Sequence, residues 1–218
     1  MHNISRRERE RQTREADIII AAEKIFYQKG YDDASMDEIA KEAEFTKKTL
    51  YQYFMNKEDL YFAVACKGYQ KLLEYFQLVN QSKNSGFEKI RLLVFAYYQF
   101  YEDFPNTFRL LKYCPCIKTN GEESSYYKNL EDLKSFMVQI FVETIEEGKS
   151  DRSIRNDLDA KLGAYSIVYF AIGFFYRLSE VGHAFKSDHE LNQEEFIHFA
   201  LELLSNILTP IPLKNDKQ

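Results

Sequence analysis

The chain has 218 residues and is 45% apolar, which is enough for a hydrophobic core and excludes a largely disordered protein. It contains only eight glycines and four prolines. Because these residues form turns and strand corners, their scarcity predicts an all-α fold with long helices and few loops. The net charge of -5 gives no overall attraction to nucleic acid, so a DNA-binding surface would depend on local charge.

The cysteines and the longest apolar run indicate the compartment. Cys66, Cys114 and Cys116 are an odd number without a disulfide framework, and the N-terminus is rich in Arg and Glu rather than apolar like a signal peptide. A cytoplasmic protein is therefore expected. The apolar run of residues 164–176 is shorter than the ~20 residues that span a bilayer, which predicts a buried helix and no membrane partner. The Cys-Pro-Cys segment has too few ligands for zinc and is interpreted as a loop, so no cofactor or metal is expected.

The N-terminal segment is strongly basic. Glu8 and Glu10 oppose five arginines, which are Arg6, Arg7, Arg9, Arg11 and Arg14. With almost no apolar residue to anchor it, the segment is predicted to be a mobile arm. Two hypotheses remain open: a tail without a role, or an arm that enters a DNA minor groove.

Two helices are predicted after this arm. Apolar residues recur on one helical face at Ile18, Ala22, Ile25 and Phe26. This first helix is expected to end at Gly30, a typical residue after a helix C-terminus. Ser35 then has the position of an N-cap, and Glu38 completes a capping box. A second helix of about two turns follows from this signal.

A third short helix is predicted from Thr46 to Phe54. Thr46 is its N-cap candidate, and Leu50, Tyr51 and Phe54 mark its inward side. The outward side is polar and comprises Lys47, Lys48, Thr49, Gln52 and Tyr53. Two short helices joined by a few residues, the second with an exposed polar face, are typical of a helix-turn-helix with a recognition helix.

The remainder of the chain is predicted to form longer helices. Their approximate ranges are 57–79, 87–104, 105–113, 123–147, 159–182 and 192–208. The segment 87–104 is apolar on all sides and is expected inside its domain.

The first sixty residues resemble the tetracycline-repressor (TetR/AcrR) family of bacterial regulators. The resemblance rests on Ile18, Ala21, Ala22, Phe26, Gly30, Ile39, Ala40 and Ala43, and on residues 49–54 (TLYQYF) and 57–60 (KEDL). It implies a three-helix DNA-binding domain over residues 1–60 and a larger helical domain for effector binding and dimerisation over residues 61–218. It also implies that the protein is not an enzyme.

Four positions depart from the family pattern. Glu44 and Lys48 stand where the family usually has Gly, Tyr53 stands where it has His, and Met55 stands where a small residue is frequent. If the backbone at Glu44 is left-handed, the side chain costs about 1 kcal/mol relative to Gly.

The resemblance also assigns DNA contacts. It implies that the DNA backbone is held by Ser35, Tyr51, Tyr53 and Lys57. It places near the bases Thr46, Lys47, Thr49 and Gln52. Lys48 adds a positive charge beside the groove, and Arg14 of the basic arm is a further candidate. The alternatives are core packing for Tyr51 and an ordinary solvated surface for the lysines. Residues 1–60 hold eleven Lys and Arg against thirteen Asp and Glu, so marked salt sensitivity is expected.

The aromatic residues of the second domain suggest two further surfaces. The ligand cavity implied by the family is assigned to Tyr69, Phe76, Phe95, Tyr98, Phe108, Phe136, Tyr165, Tyr169 and Phe170, for which core packing is the alternative. Surplus apolar stripes on the last two helices predict a homodimer interface of Tyr165, Tyr169, Ile172, Tyr176, Phe196, Phe199, Ala200, Leu203 and Ile207.

The resulting hypothesis is a ligand-responsive transcriptional repressor. It binds a pseudo-palindromic double-stranded operator as a homodimer and is released by a small lipophilic or aromatic effector. An all-α enzyme is disfavoured because no nucleophile, base and metal set converges in the sequence. A helical adaptor or membrane-surface module without sequence-specific DNA binding remains the alternative.

Overall fold

A computed structural model describes residues 5–80, 82–113, 124–189 and 192–210. Within these ranges the protein is all-α, as predicted, with nine helices and no strand. The helices are α1 (Arg6–Asp33), α2 (Met36–Glu42), α3 (Lys47–Leu50), α4 (Lys57–Asn80), α5 (Gly86–Asp103), α6 (Pro105–Tyr113), α7 (Ser125–Ser150), α8 (Ala160–His189) and α9 (Gln193–Asn206).

The chain forms two compact units. The first comprises Met1–Lys71 and Asn106–Leu133, and the second comprises Leu72–Pro105 and Lys134–Gln218. Helices α4 and α7 contribute residues to both units. The predicted domain boundary at residue 60 remains a prediction. The compact units divide the chain differently, since the first unit also includes the start of α4 and a later segment of the chain.

The basic N-terminal segment is helical from Arg6, so the prediction of a mobile arm is wrong for these residues. Ser5 caps the helix by accepting a hydrogen bond from the Glu8 N–H, and Arg6 forms an i,i+4 ion pair with Glu10 at 2.9 Å. Arg, Glu and Gln favour helices, and these local contacts replace the missing apolar anchor. Regular helix geometry ends at Gly30, whose φ of 80° suits glycine, as the sequence predicted.

The capping signals of α2 and α3 are confirmed. Ser35 and Glu38 form the reciprocal capping box of α2. Glu44, in the turn before α3, has a φ of 58°. This residue therefore adopts the left-handed conformation that favours the glycine of the family pattern, at a cost of about 1 kcal/mol.

The first unit has an apolar core shared by its short helices. Helix α1 packs on α2, and α2 packs on α3. Fully buried side chains include Ile18, Phe26, Ile39, Leu50 and Phe54. The rings of Phe26 and Tyr61 meet edge to face at 5.0 Å, which joins α1 to α4. This core fixes α3 against the rest of the unit.

The second unit is built around α5, which contacts α8 and α9. Phe175 of α8 is fully buried and stacks on Tyr97, Tyr98 and Tyr101 of α5, at centroid distances of 5.7 to 6.0 Å. The prediction that α5 lies inside its domain is confirmed, because most of its residues between Ile90 and Phe100 are buried or half-buried.

The N-terminus of α5 meets the end of α7 at two glycines. A Cβ placed on Gly86 would lie 2.2 Å from the backbone nitrogen of Gly148, so the two backbones touch. Asp151, just after α7, accepts a hydrogen bond from the Gly86 N–H at 2.8 Å, and the Ser153 hydroxyl accepts one from the Phe87 N–H at 3.0 Å. The loop after α7 thus satisfies backbone donors that the first turn of α5 leaves open.

The Asp151 contact makes a pH-dependent contribution to stability. Hydrogen bonds from Ser153 and from the Gly86 N–H hold the pKa of Asp151 below its ordinary value of 3.8. A carboxylate with a lowered pKa stabilises the fold above its ordinary pKa, and this stabilisation is lost as the pH falls through the lowered value. Asp151→Asn is therefore expected to lower the urea midpoint at pH 7, and the difference from wild type should shrink toward pH 3. A difference that is constant across this range would contradict the assignment.

Helix α8 is longer than predicted and is buried on one side only. It continues to His189, beyond the predicted end at residue 182. Ala164, Ile167 and Phe175 are buried, whereas Tyr169 and Phe170 are 71% and 64% exposed, so the prediction of a buried helix holds for one face. The segment Ala160–Val181 is long and apolar enough to cross a membrane by length and composition, a test that core helices of soluble proteins also pass.

Candidate functional site

The recognition helix is a short rod held by its inward side. The Thr46 hydroxyl accepts a hydrogen bond from the Thr49 N–H at 3.1 Å, which confirms the predicted N-cap. The α-helix itself covers only Lys47–Leu50, less than predicted. Tighter backbone hydrogen bonds from Gln52 to Thr49 and from Tyr53 to Leu50 continue the rod to Phe54, which is 1% exposed.

The outward side of this rod is polar, as predicted. Lys47, Lys48 and Gln52 are exposed, and Thr49 and Tyr53 are half-buried. Tyr51 is 48% exposed, so its predicted place on the inward side is wrong. Leu50 and Phe54, four residues apart, form the buried side, and Tyr51 lies about 100° further around the helix than Leu50, on its exposed side.

The polar groups of the rod differ in their partners. Lys47 forms an ion pair with Asp37 of α2 at 2.6 Å, and the hydrogen bond to that carboxylate raises the pKa of Lys47. The hydroxyls of Thr46 and Thr49 lie 2.9 Å apart and share a hydrogen bond. The side chains of Lys48 and Gln52 have no hydrogen bond or ion pair within the described part of the chain. These two side chains are available to a ligand without breaking an internal contact.

Lys57 and Ser35 make internal contacts at the positions where the sequence predicts phosphate contacts. The Lys57 ammonium donates to the carbonyls of Tyr31, Asp32 and Ala34 at 2.7 to 3.1 Å, and it lies 4.5 Å from the centroid of the Tyr31 ring. Ser35 exchanges hydrogen bonds with Glu38. Lys57 thereby caps the open carbonyls at the end of α1 and ties α4 to it.

Arg14 lies in a groove beside the recognition helix. The groove is lined by Ser5, Arg7, Glu8, Glu10, Arg11, Arg14, Gln52 and Tyr53. Sequence reasoning selected only Arg14 from this set of arginines. The spacing of Arg7, Arg11 and Arg14 at i, i+4 and i+7 was the signal for a shared helical face, but it has meaning only if the arm is helical.

The segment after the recognition helix is clamped by residues that sequence reasoning missed. Tyr126, in the first turn of α7, donates its hydroxyl to Glu15 of α1, and its ring lies 5.6 Å from that of Phe54. Burial and the hydrogen bond to Glu15 raise the pKa of Tyr126. Ser124 donates to the buried carboxylate of Asp59. No local pattern identifies these pairs, because their partners lie more than sixty residues apart.

The residues predicted to line a ligand cavity fall into three classes of exposure. Three are buried, namely Tyr69, Phe76 and Phe108. Phe95 and Tyr98 are half-buried, and both rings contact His198. Four are 42 to 71% exposed, namely Phe136, Tyr165, Tyr169 and Phe170. The exposed four do not line an interior cavity of the single chain, so the ligand assignment stays a prediction for the other five.

The predicted dimer residues are mostly on the surface of the second unit. Exposed members are Tyr165, Tyr169, Phe199, Leu203 and Ile207, at 42 to 71%. Half-buried members are Ile172, Tyr176, Phe196 and Ala200. Leu162 of α8, which is 68% exposed, belongs to the same surface and was not predicted. A single chain therefore leaves two helices with a large apolar exposure, which is uncommon for a monomer.

The cysteines contribute no site in the described residues. Cys114 and Cys116 lie outside them, so the predicted loop is not described. The Cys66 thiol donates to the carbonyl of Tyr126 at 3.4 Å. Among the described residues, no three His, Cys, Asp or Glu side chains are grouped as a metal site would require.

Residues 18–64 match the family model described as bacterial regulatory proteins of the tetR family. Within this segment the chain is therefore similar to the DNA-binding domain of the tetR family. The match covers the helix-turn-helix from Ile18 to the start of α4, where the resemblance in the sequence was found. The chain is also 33% identical over 101 residues to the HTH-type transcriptional activator FasR of Mycolicibacterium smegmatis. That alignment spans 46% of this chain and 46% of FasR, or about half of each protein.

Solved structures share the fold over nearly the whole chain. The transcriptional regulator FadR of Bacillus subtilis, in complex with stearoyl-CoA, has a TM-score of 0.66 at 20% identity, covering 87% of this chain and 97% of FadR. AibR, in complex with isovaleryl coenzyme A and operator DNA, has a TM-score of 0.66 at 20% identity, covering 90% of this chain and 98% of AibR. At this identity the likeness establishes the all-α TetR-like architecture.

Proposed function

We propose that this protein is a ligand-responsive repressor of the TetR family that binds a pseudo-palindromic operator as a homodimer. The observation that carries the proposal is the exposed polar side of the recognition helix, where the Lys48 and Gln52 side chains have no partner among the described residues. Lys and Gln side chains donate hydrogen bonds to phosphates and to base edges in the major groove. Thr46, Thr49, Tyr51 and Tyr53 complete this surface.

The proposed dimer uses the apolar faces of α8 and α9. Burying them against a second copy forms a four-helix contact related by two-fold symmetry. Two recognition helices then face successive major grooves, about 34 to 36 Å apart. The same burial explains an apolar α8 in a cytoplasmic protein that does not bind membranes. A membrane-surface module, the alternative function, would use this face for lipid instead.

The dimer proposal predicts the effect of a charge in this face. Leu203 is 54% exposed in the single chain, so Leu203→Arg is expected to fold normally but to leave an arginine buried in the interface. Light scattering should give twice 25.9 kDa for wild type and 25.9 kDa for the variant. Leu78→Arg is the matched control, because Leu78 on α4 is 75% exposed outside this face. A monomeric Leu78→Arg control, or a Leu203→Arg variant that remains a dimer, would refute the proposed interface.

The proposed effector is a lipophilic acyl compound. The many aromatic side chains of the second unit would suit an apolar ligand. Both TetR-like neighbours described above were solved with an acyl-coenzyme A. Effector binding would shift α4, which extends from the recognition unit into the second unit. A shift of α4 strains the Lys57 contacts at the end of α1, and a coupling of about 1 to 3 kcal/mol would release the operator. FasR is named an activator, so DNA binding that becomes stronger when the effector is added would contradict the release proposed here.

A gel-shift assay with fragments of the host genome tests this function. Wild-type protein should retain at least one fragment in excess competitor DNA at about 150 mM salt. Addition of acyl-coenzyme A of increasing chain length should then release that fragment. Retention of no fragment would overturn the regulator, whereas retention without an acyl-coenzyme A effect would overturn only the effector.

A further inference from the structure

The N-terminal part of α1 carries a row of arginines on one face. Arg7, Arg11 and Arg14 occur at i, i+4 and i+7, and all three are exposed. None of them has a hydrogen bond or an ion pair through its side chain within the described residues. Three guanidinium groups without partners on one helical face form a surface for anions.

This row faces the recognition helix rather than away from it. The three arginines line one groove together with Gln52 and Tyr53, which directly follow Lys47–Leu50. Glu8 and Glu10 also line the groove, and Glu10 is neutralised by its ion pair with Arg6. The excess of positive charge in the groove therefore lies beside the surface that is proposed to contact DNA.

We propose that Arg7, Arg11 and Arg14 form a second DNA-binding surface that holds the phosphate backbone flanking the recognition helix. This inference rests on the proposed function and extends the protein's contact with the duplex beyond the helix-turn-helix. Because the segment is an α-helix about 10 to 12 Å wide, it does not fit into a minor groove about 6 Å wide. The proposal therefore replaces the hypothesis of an arm inside the minor groove with arginine contacts to the phosphates along the rim of that DNA groove.

Phosphate contacts have a defined signature. Each phosphate neutralised by an arginine contributes about 0.9 to the slope of log affinity against log salt, independently of sequence. The triple variant R7Q/R11Q/R14Q is therefore expected to lower the slope by up to about 3 per subunit bound. Glutamine keeps the helix, since its helix propensity is close to that of arginine. Glu8 lines the groove and forms no ion pair within the described residues, so Glu8→Gln should strengthen binding.

The measurement is a salt titration by fluorescence anisotropy with two labelled probes. One is a genomic fragment retained by wild type, and the other is a mixed-sequence duplex of about 30 base pairs, roughly three helical turns. Arg11→Gln is compared with Arg9→Gln, an identical change in the same helix outside the groove. The expected result is a lower slope for Arg11→Gln on both probes and the wild-type slope for Arg9→Gln.

The outcomes separate this inference from the proposed function. If wild type retains a genomic fragment but the triple variant keeps its slope and affinity, the arginine surface is refuted and the regulator stands. If wild type retains no genomic fragment but its salt slope on the mixed duplex depends on the three arginines, the sequence-specific regulator is refuted and the arginine surface stands. Equal losses for Arg9→Gln and Arg11→Gln would also refute the groove, because they indicate a general charge effect. Circular dichroism verifies that every variant keeps its helices.

Discussion

Replacing Lys48 and Tyr53 together by alanine is expected to abolish specific DNA binding while the protein still folds and dimerises. Lys48 is exposed and Tyr53 is half-buried at the groove, whereas Leu50 and Phe54 hold the helix in the core. A dimer would lose about four contacts of roughly 1 kcal/mol each, which is about a 1,000-fold loss in affinity. A gel shift on a fragment retained by wild type, paired with light scattering, measures both properties.

The control for this variant changes the same residue types elsewhere in the same unit. Lys128 and Tyr27 are exposed on α7 and α1, outside the groove and the recognition helix. Lys128→Ala with Tyr27→Ala should bind like wild type. Specific binding that survives the loss of Lys48 and Tyr53 would mean that another surface reads the DNA. Such a result would mean that residues outside α3 and its continuation to Phe54 recognise the operator.

Gly86→Ala is expected to destabilise the second unit by about 3 kcal/mol or more, roughly 6 to 12 °C in Tm. The added Cβ would lie 2.2 Å from Gly148 N and 2.8 Å from the Thr144 carbonyl oxygen. These are backbone atoms of α7 and cannot rotate away. Helix propensity alone predicts the opposite sign, since alanine is favoured over glycine by about 1 kcal/mol. Thermal unfolding followed by circular dichroism measures the effect.

Gly173→Ala provides the matched control. Gly173 lies inside α8, and a Cβ there meets no atom within 4 Å of the same chain. Because Gly173 lies between Tyr169 and Tyr176 of the proposed dimer face, both glycine variants are compared in the monomeric Leu203→Arg background. This variant is expected to gain up to about 1 kcal/mol from helix propensity. Equal stability changes at Gly86 and Gly173 would show that the α5 and α7 backbones do not meet as described.

Local signals in the sequence were sufficient for most of the first unit. The Ser35 capping box, the Thr46 N-cap and Gly30 were all predicted because each depends on residues within one turn. The family motif confirmed their order. The exposure of Tyr51 was not predicted, because apolar periodicity alone does not show how wide the buried stripe of so short a helix is.

Other features depend on contacts that sequence patterns do not contain. The helical arm was missed because charged residues without an apolar anchor suggest disorder, whereas Ser5 and the Arg6 ion pair stabilise a helix. The family resemblance predicts a phosphate contact for Lys57, whereas its hydrogen bonds to carbonyls at the end of α1 are visible only in the structure. The helices of the second unit were predicted. Which of their aromatic side chains are buried in the core and which lie on the surface was not, because both kinds recur with the same helical periodicity.

The most direct test of the central claim is selection of duplexes from a random pool by the wild-type dimer. The recognition helices of a two-fold dimer should enrich an inverted repeat whose half-site centres are about 34 to 36 Å apart, near one helical turn. The variant with Lys48 and Tyr53 replaced by alanine should enrich no sequence. A pool without an inverted repeat after selection, or the same repeat enriched by that variant, would contradict DNA reading by this helix.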